Sequence, residues 1–476
     1  MRLRMDRLLA DHPFAGEILR RLEEAGHTVV LVGGVVRDAL LAAQRGEEFV
    51  AQDVDIATSA SPEEVRKLFA DWHVLSVGQS FGVVVLVAPR GGQQYEVATF
   101  RTEDGYSDGR RPDRVEWGTL EKDVQRRDFT VNGLVATVEG EVLDWVGGIP
   151  DLAAGIVRAI GDPAARFAED RLRMLRAVRF ACQLGFTIEW ATAAAIRTHA
   201  PRITSVSWER IRDELLRILA TPRSGEGILL LDDLGLLEPI LPEIAALRGV
   251  PQPEAYHPEG DVFTHTVAAL RVADGLWDDP RLKLAVLYHD VGKPVALARS
   301  GGENMGGHCG IGADIAAQAL TRLRLPKRDV EWVVHLVREH MRVARLPEMG
   351  LGKQVRLLGV GEDERAPSGD LPRRYPLFAD LLRLVVCDAE ASAHRARAWH
   401  PLLARTAGLL VHLRRVRGIR YARELFTGDD LLAMGLPPGP QLGEILDRVQ
   451  ERILSGEIAT RDEALGYAAE LVRGQR

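Results

Sequence analysis

Short apolar runs alternate with charged and glycine-containing stretches over the first 150 residues: TVVLV (28–32), FGVVVLVA (81–88), YEVATF (95–100) and EVLDWV (141–146). Their length and β-branched content read as strands, and the intervening SPEEVRKLFADW (61–72) reads as a helix. From about Phe167 the apolar period becomes helical almost to the end, as in EDRLRMLRAVRFACQLGF, SWERIRDELLRIL, TVAALRVADGL, IAAQALTRLRL and DVEWVVHLVREHM. Proline-rich joints at LPEIAALRGVPQPEAYHPEGD and ERAPSGDLPRRYP interrupt that run. The pattern predicts an α+β chain: a mixed sheet-and-helix unit over 1–155, then helical modules over 156–260, 261–400 and 401–476. There is no fixed-period repeat.

Composition narrows the class. A chain of 476 residues exceeds one ordinary core. No window approaches eighteen uninterrupted apolar residues and MRLRMDRLLADHPFAG has no apolar signal core, so a cytoplasmic protein without membrane contact is expected. Cys182, Cys309 and Cys387 lie far apart without CxxC spacing, which fits free thiols. A net charge of −7 argues against indiscriminate coating of nucleic acid, so local basic patches carry more meaning than the total.

Two stretches carry candidate chemistry in the first unit. In LVGGVVRDALL, Gly33 and Gly34 precede a helix whose free N–H groups suit a triphosphate. In DVDIAT, Asp53 and Asp55 fall on the same face of an extended segment, the hard-oxygen pair that Mg²⁺ takes beside substrate phosphates. Two such ions can serve an in-line nucleotidyl displacement.

GGVVRD, DVDIAT, EVATFRTEDGYSDGRRPDRVEW, RRDFTVNGL and EDRLRMLRAVRF follow one another in an order that resembles the class II CCA-adding tRNA nucleotidyltransferase and bacterial poly(A) polymerase family. The resemblance covers roughly residues 25–220 and implies a nucleotidyltransferase head, with tRNA 3′ ends, CTP and ATP as partners. It implies phosphate contacts for Gly34 and Arg37, Mg²⁺ ligation for Asp53 and Asp55, and ribose and phosphate contacts for Arg127, Asp128 and Asn132. Asp170 and Arg173 are similar to the pair that reads the incoming base. LLAAQRGEEFVAQ is longer than the family's usual link and is expected to be a surface loop. RTEDGYSDGRRPD (101–113) resembles the mobile loop of full CCA-adding members, whereas A-adding enzymes and poly(A) polymerases remain alternatives.

Read as one continuous helix, EDRLRMLRAVRF sweeps Asp170, Arg173, Arg176 and Arg179 along one side and Leu175, Val178 and Cys182 along the other. With only Glu169 and Asp170 to balance the arginines, that side carries excess positive charge, and Arg176 and Arg179 are expected to face phosphate or RNA. Asp as acceptor beside Arg as donor suits cytosine and adenine, which both present an amino group next to a ring nitrogen. SWERIRDELLRIL resembles the family's neck helix, where Arg210 and Glu214 at i,i+4 read as a local stabilising pair.

Beyond that region, His265, His289-Asp290 closing an apolar helix, Lys293, His308, His340 and Asp388 resemble the HD metal-dependent phosphohydrolases. The resemblance implies a divalent transition metal and removal of cyclic or 2′-phosphates from RNA ends; an HD fold kept for RNA binding is the other reading. His335 is expected on a helix surface. Arg414, Arg415, Arg417, Arg420 and Arg423 form a basic run that either contacts RNA or is a solvated face, and Pro-Gly-Pro at 438–440 reads as a turn. Two readings of another class compete with nucleotide addition: a phosphohydrolase with an inactive head, and a noncatalytic RNA-binding protein.

Overall fold

The computed structural model describes residues 2–51, 53–75, 82–104, 114–255, 257–343, 345–358, 371–392, 399–415, 422 and 424–473. The chain divides into two compact units, Met1–Ile240 and Leu241–Arg476.

The first unit is built on β1 (Val29–Val32), β2 (Asp55–Thr58), β3 (His73–Leu75), β4 (Val83–Val87), β5 (Gln94–Thr99), β6 (Arg101–Asp104), β7 (Arg114–Trp117), β8 (Val135–Thr137) and β9 (Val142–Leu143). Seven of these form one mixed sheet in the order β3-β4-β5-β2-β1-β8-β9, while β6 and β7 pair as a separate ribbon. All four residues of β1 are buried, as its unbroken apolar run requires of a strand covered on both faces. β2 runs parallel to β5 and puts Asp55 directly opposite Glu96.

Gly33, at φ 74°, turns the chain from β1 into the helix Gly34–Arg45, a conformation that a residue with a Cβ adopts only under strain. That helix runs on to a left-handed cap at Gly46, so residues 40–45 of the expected surface loop are helical and 46–51 form the described connection. Helices then take over, among them Pro163–Glu169, Leu172–Leu184 and Trp208–Leu219.

The second unit is helical. Its principal elements are Val262–Leu276, Pro280–Tyr288, Lys293–Arg299, His308–Arg322, Lys327–Val343 and Pro376–Ala391, followed by Gly428–Ala433, Pro440–Ser455 and Arg461–Arg473. Asp261 and Asp279 cap the first two by accepting backbone N–H groups of Thr264 and Arg281 at 2.8 Å each. Lys283 is fully buried within an apolar helix and is satisfied by Asp274 at 2.7 Å. The Pro-Gly-Pro stretch falls at the start of Pro440–Ser455, where the chain turns after Gly428–Ala433. Among the described residues no helix is long and apolar enough to cross a membrane.

Gly292 brings the segment after His289-Asp290 against the start of His308–Arg322: a Cβ there would lie 2.1 Å from the His308 carbonyl oxygen and 2.6 Å from the Gly312 nitrogen. Both neighbours are backbone and cannot give way cheaply. Gly292→Ala is therefore expected to destabilise the second unit by about 1–3 kcal/mol, read as a lowered midpoint in chemical or thermal unfolding of the full chain.

Candidate functional site

In the first unit a cavity of about 500 Å³ opens where β1, the Gly33 turn and the helix Leu172–Leu184 converge. Gly33, Gly34, Asp55, Arg127, Asp170 and Arg173 are among the residues that line it. Asp53 lies just before β2 rather than within it, yet alternation with buried Val54 and Ile56 keeps Asp53 and Asp55 exposed on one side. The strand register adds Glu96, a third carboxylate that the sequence reading missed because only the β2–β5 pairing brings it to Asp55. Although one side of Asp55 meets solvent, the protein packed around its carboxyl limits hydration, and this, then Glu96, pushes it upward; Arg127 opposes the shift and Asp53 adds to it. Clustered negative charge of this kind fits divalent cations. A Cβ on Gly33 would sit 3.6 Å from both Asp55 Oδ2 and Arg127 Nη1, so the glycine keeps the gap between carboxylate and guanidinium open.

The arginines are balanced by carboxylates from distant parts of the chain. Asp128, buried, accepts Arg176 Nε at 2.7 Å, Asn132 Nδ2 at 3.2 Å and the Phe129 N–H at 2.8 Å. Asn132 Oδ1 in turn accepts Arg37 Nη1 at 2.6 Å, and Arg37 is also held by Asp38 at 2.8 Å. Burial opposes the Asp128 charge, but Arg176 and these hydrogen bonds outweigh it and bring the carboxyl down to about 2. Arg127 reaches Asp123 at 3.2 Å through Nη2, while its buried Nε has no hydrogen-bond partner.

The reading of EDRLRMLRAVRF as one helix is corrected. Pro163–Glu169 ends before Asp170, which is extended at φ −140° and ψ 105°, and a new helix starts at Leu172. Asp170 turns its carboxylate onto the Leu172 N–H at 3.0 Å, a capping bond that competes with continued helix at this residue. The face is not in excess positive charge either. Arg173 pairs with Glu169 at 2.7 Å, Arg176 with Asp128 at 2.6 Å and Arg179 with Glu214 at 2.7 Å. The expected Arg210–Glu214 pair gives way to other partners: Arg210 binds Asp170 through Nη1 at 3.2 Å and Nη2 at 2.7 Å, and Glu214 takes Arg179 across the fold and Arg217 on its own helix. Phe180 is a further residue that helical spacing did not single out. Its ring lies under Arg37, Arg176 and Arg179, whose guanidinium carbons stand 5.2, 5.3 and 4.1 Å from the centroid.

In the second unit His265, His289, Asp290, His308, His340 and Asp388 converge on one buried cluster. Asp290 sits at its centre, with Oδ2 3.1 Å from His289 Nε2 and 3.9 Å from His265 Nε2, and Oδ1 3.4 Å from His308 Nε2 and 3.9 Å from His340 Nε2. Asp388 Oδ1 lies 3.1 Å from His265 Nε2. Backbone carbonyls of Val286, Met305 and Val337 take Nδ1 of His289, His308 and His340, at 2.7, 3.0 and 2.7 Å, which turns each Nε2 inward. The Nε2 atoms of His289 and His340 are buried without a hydrogen bond. Burial, with His289 beside it, brings His340 down to about 4, so it is a neutral imidazole at pH 7. These residues fit a divalent transition metal. Glu259, bonded to His265 Nδ1 at 2.7 Å, and Gln252, bonded to Lys293 Nζ at 2.6 Å, were not foreseen; their neighbours in sequence carry no motif. His335 stays partly exposed on its helix and outside the cluster.

Residues 105–113 of the predicted mobile loop lie outside the described residues, while Arg101–Asp104 forms β6. Arg414 and Arg415 end the helix His400–Arg415; Arg417, Arg420 and Arg423 lie outside the described residues.

Comparison with known proteins agrees with this division of sites. Residues 29–158 match the family model "Poly A polymerase head domain", 185–247 match "Probable RNA and SrmB- binding site of polymerase A", 262–369 match "HD domain", and 416–469 match "tRNA nucleotidyltransferase domain 2 putative". A CCA-adding enzyme of Levilactobacillus brevis is 30% identical over 97% of this chain and 98% of its own length. One from Lactobacillus helveticus is 43% identical, but the alignment covers 48% of this chain and 55% of that enzyme. An A-adding tRNA nucleotidyltransferase of Deinococcus radiodurans is 36% identical over 73% of this chain and 78% of its own length. The crystal structure of the Bacillus stearothermophilus CCA-adding enzyme in complex with CTP superposes with a TM-score of 0.66 at 27% identity, covering 98% of both chains.

The Asp128–Arg176 pair has a pH signature. A carboxyl at about 2 when folded, against 3.8 ordinarily, contributes stability that is fully present above pH 4 and lost as pH falls through 2. Asp128→Asn is expected to remove roughly 2 kcal/mol of stability at pH 7 and to flatten the stability curve between pH 4 and 2, measured by denaturant unfolding.

Proposed function

Since the chain belongs to the family of CCA-adding enzymes, we propose that it adds C, C and A in turn to the 3′ end of tRNA from CTP and ATP, without a nucleic-acid template. The observation that carries this reading is a single arginine-walled cavity whose lining includes both Asp55, of the carboxylate cluster, and the Asp170 and Arg173 side chains. Asp53, Asp55 and Glu96 would hold Mg²⁺, which activates the 3′-hydroxyl and stabilises the leaving pyrophosphate. Arg127, whose Nη1 borders the Gly33 turn in the cavity lining, and Arg37, held rigidly by Asp38 and Asn132, orient the triphosphate at the Gly33–Gly34 turn. The same substrates make the cytoplasm the place of its work.

Base choice falls to Asp170 and Arg173. Asp170 Oδ1 already accepts the Leu172 N–H and Arg210 Nη1, whereas among the described residues Oδ2 accepts only Arg210 Nη2. One acceptor position remains on Oδ2, matching one amino N–H of cytosine or adenine and opposing the carbonyl of uracil or guanine. A wrong base leaves buried polar groups unsatisfied, which strengthens rejection. Arg210 acts as a positioning residue here, because its fork holds the carboxylate in one orientation.

The A-adding relative keeps a narrower reading in play, in which only the terminal A is added. Purified protein given tRNA ending at the discriminator base, at C or at CC, with each labelled nucleotide, separates the two. Addition of CCA followed by arrest is expected; extension of the CC-ended form alone would establish the A-adding reading, and long A tracts on unrelated RNA a poly(A) polymerase. Asp53→Ala and Asp55→Ala should each abolish addition, and retained addition would refute their role. Arg210→Gln should raise UMP and GMP incorporation relative to CMP and AMP at least tenfold, by analogy with about 1.4 kcal/mol of lost discrimination, with unfolding unchanged and partial rescue by Arg210→Lys.

For the second unit we infer a phosphoester hydrolase. His265, His289, Asp290, His308, His340 and Asp388 would hold a divalent transition metal, which supplies an activated water. Lys293, 2.6 Å from Asp290, also lines the adjoining cavity of about 470 Å³, where its ammonium can meet a phosphate. Asp290→Ala should abolish hydrolysis of 2′,3′-cyclic and 2′-phosphate ends and leave nucleotide addition intact.

A further inference from the structure

The hydrolase reading leaves one donor beside its cluster unused. Cys309 follows His308 at the start of its helix, and its Sγ lies 3.5 Å from His308 Nε2. The ligand atoms of His308, Cys309 and His340 all fall within 4.8 Å of one another. His340 supplies an independent sign of a missing partner: the residue is 1% exposed and its Nε2 has no hydrogen bond among the described residues. Its other nitrogen is committed to the Val337 carbonyl, as that of His308 is to Met305, so both free lone pairs are directed to the same place.

The spacing suits a tetrahedral ion. With metal–sulfur near 2.3 Å and metal–nitrogen near 2.0–2.1 Å, tetrahedral edges come to about 3.6 Å between S and N and about 3.3 Å between N and N or O. Here Sγ to His308 Nε2 is 3.5 Å, and Asp290 Oδ1 stands 3.4 Å from His308 Nε2 and 3.9 Å from His340 Nε2. On the opposite side, Asp290 Oδ2 faces His289 and His265.

We propose that Cys309 is a metal ligand, and that with His308, His340 and Oδ1 of Asp290 it forms a thiophilic half of the HD site that takes Zn²⁺ or Co²⁺ in preference to Mg²⁺. The proposal rests on the reading of this cluster as a metal centre. Binding forms the metal–sulfur bond and releases the thiol proton to solvent. A soft thiolate in the donor set discriminates against hard, oxygen-seeking ions. Four protein ligands close this half, so the water-activating ion of the hydrolase reading is assigned to the opposite half, with His265, His289, Asp388 and Oδ2 of Asp290.

The test is the absorption spectrum of chelator-stripped full-length protein titrated with Co²⁺. Wild type should develop visible ligand-field bands together with a near-ultraviolet thiolate-to-cobalt charge-transfer band. Cys309→Ser and Cys309→Ala should lose the charge-transfer band and keep ligand-field absorption, with thermal unfolding of the stripped proteins unchanged. Cys387→Ser should keep both bands, since Cys387 is fully buried and its neighbour Asp388 is the residue that contacts the cluster. Ligand-field bands without charge transfer in wild type, or a charge-transfer band that survives in Cys309→Ser, overturns the assignment of Cys309 alone. Absence of both bands in wild type overturns the metal centre itself, and the cysteine with it.

Discussion

The pairing of arginine with buried or half-buried carboxylate is the constraint on which the nucleotide-side cavity depends. Asp128 and Glu214 are almost wholly buried, and Arg176 and Arg179 supply them with charged partners. These bonds join segments far apart in the chain: the RRD turn to Leu172–Leu184, and that helix to Trp208–Leu219. Asn132 extends the chain of bonds to Arg37, behind the Gly33 turn. An arginine cavity without such carboxylates would repel itself; with them it is neutralised enough to fold and still presents guanidinium groups to a polyanion.

The cluster in the second unit follows a different logic. Asp290 lies at the centre of four imidazoles, with Asp388 beside His265; the outer nitrogens of His289, His308 and His340 are fastened to backbone carbonyls and that of His265 to Glu259. Helix ends and turns supply those carbonyls, so imidazole orientation is fixed by local backbone while convergence is fixed by helix packing. Gly292 permits the closest of these approaches. Imidazoles whose Nε2 atoms face one central carboxylate make a ligand cage.

Much of this was legible from residue order. Gly33 turning a buried strand into a helix, Asp53 and Asp55 on one side of an extended segment, and His289-Asp290 closing an apolar helix are all local patterns, and local sterics and periodicity decide them. What was misread was equally physical. Asp170 was placed inside a helix because its neighbours are good helix formers, yet its own carboxylate caps the next helix and breaks the run. Arg210 and Glu214 were joined because i,i+4 spacing allows it, but each finds a partner across the fold, Asp170 for the one and Arg179 for the other.

The sequence by itself determined the element types, the two chemical neighbourhoods and most residues within them, because 2.0 and 3.6 periodicities, capping residues and glycine turns act over a few residues. Only tertiary structure decided which charges meet. Glu96 reaches Asp55 through strand register, Phe180 gathers three guanidinium groups through helix packing, and Cys309 comes beside His340 through the contact of two helices. Partners separated by tens of residues are selected by burial and distance together, and neither quantity is written in the local order of the chain.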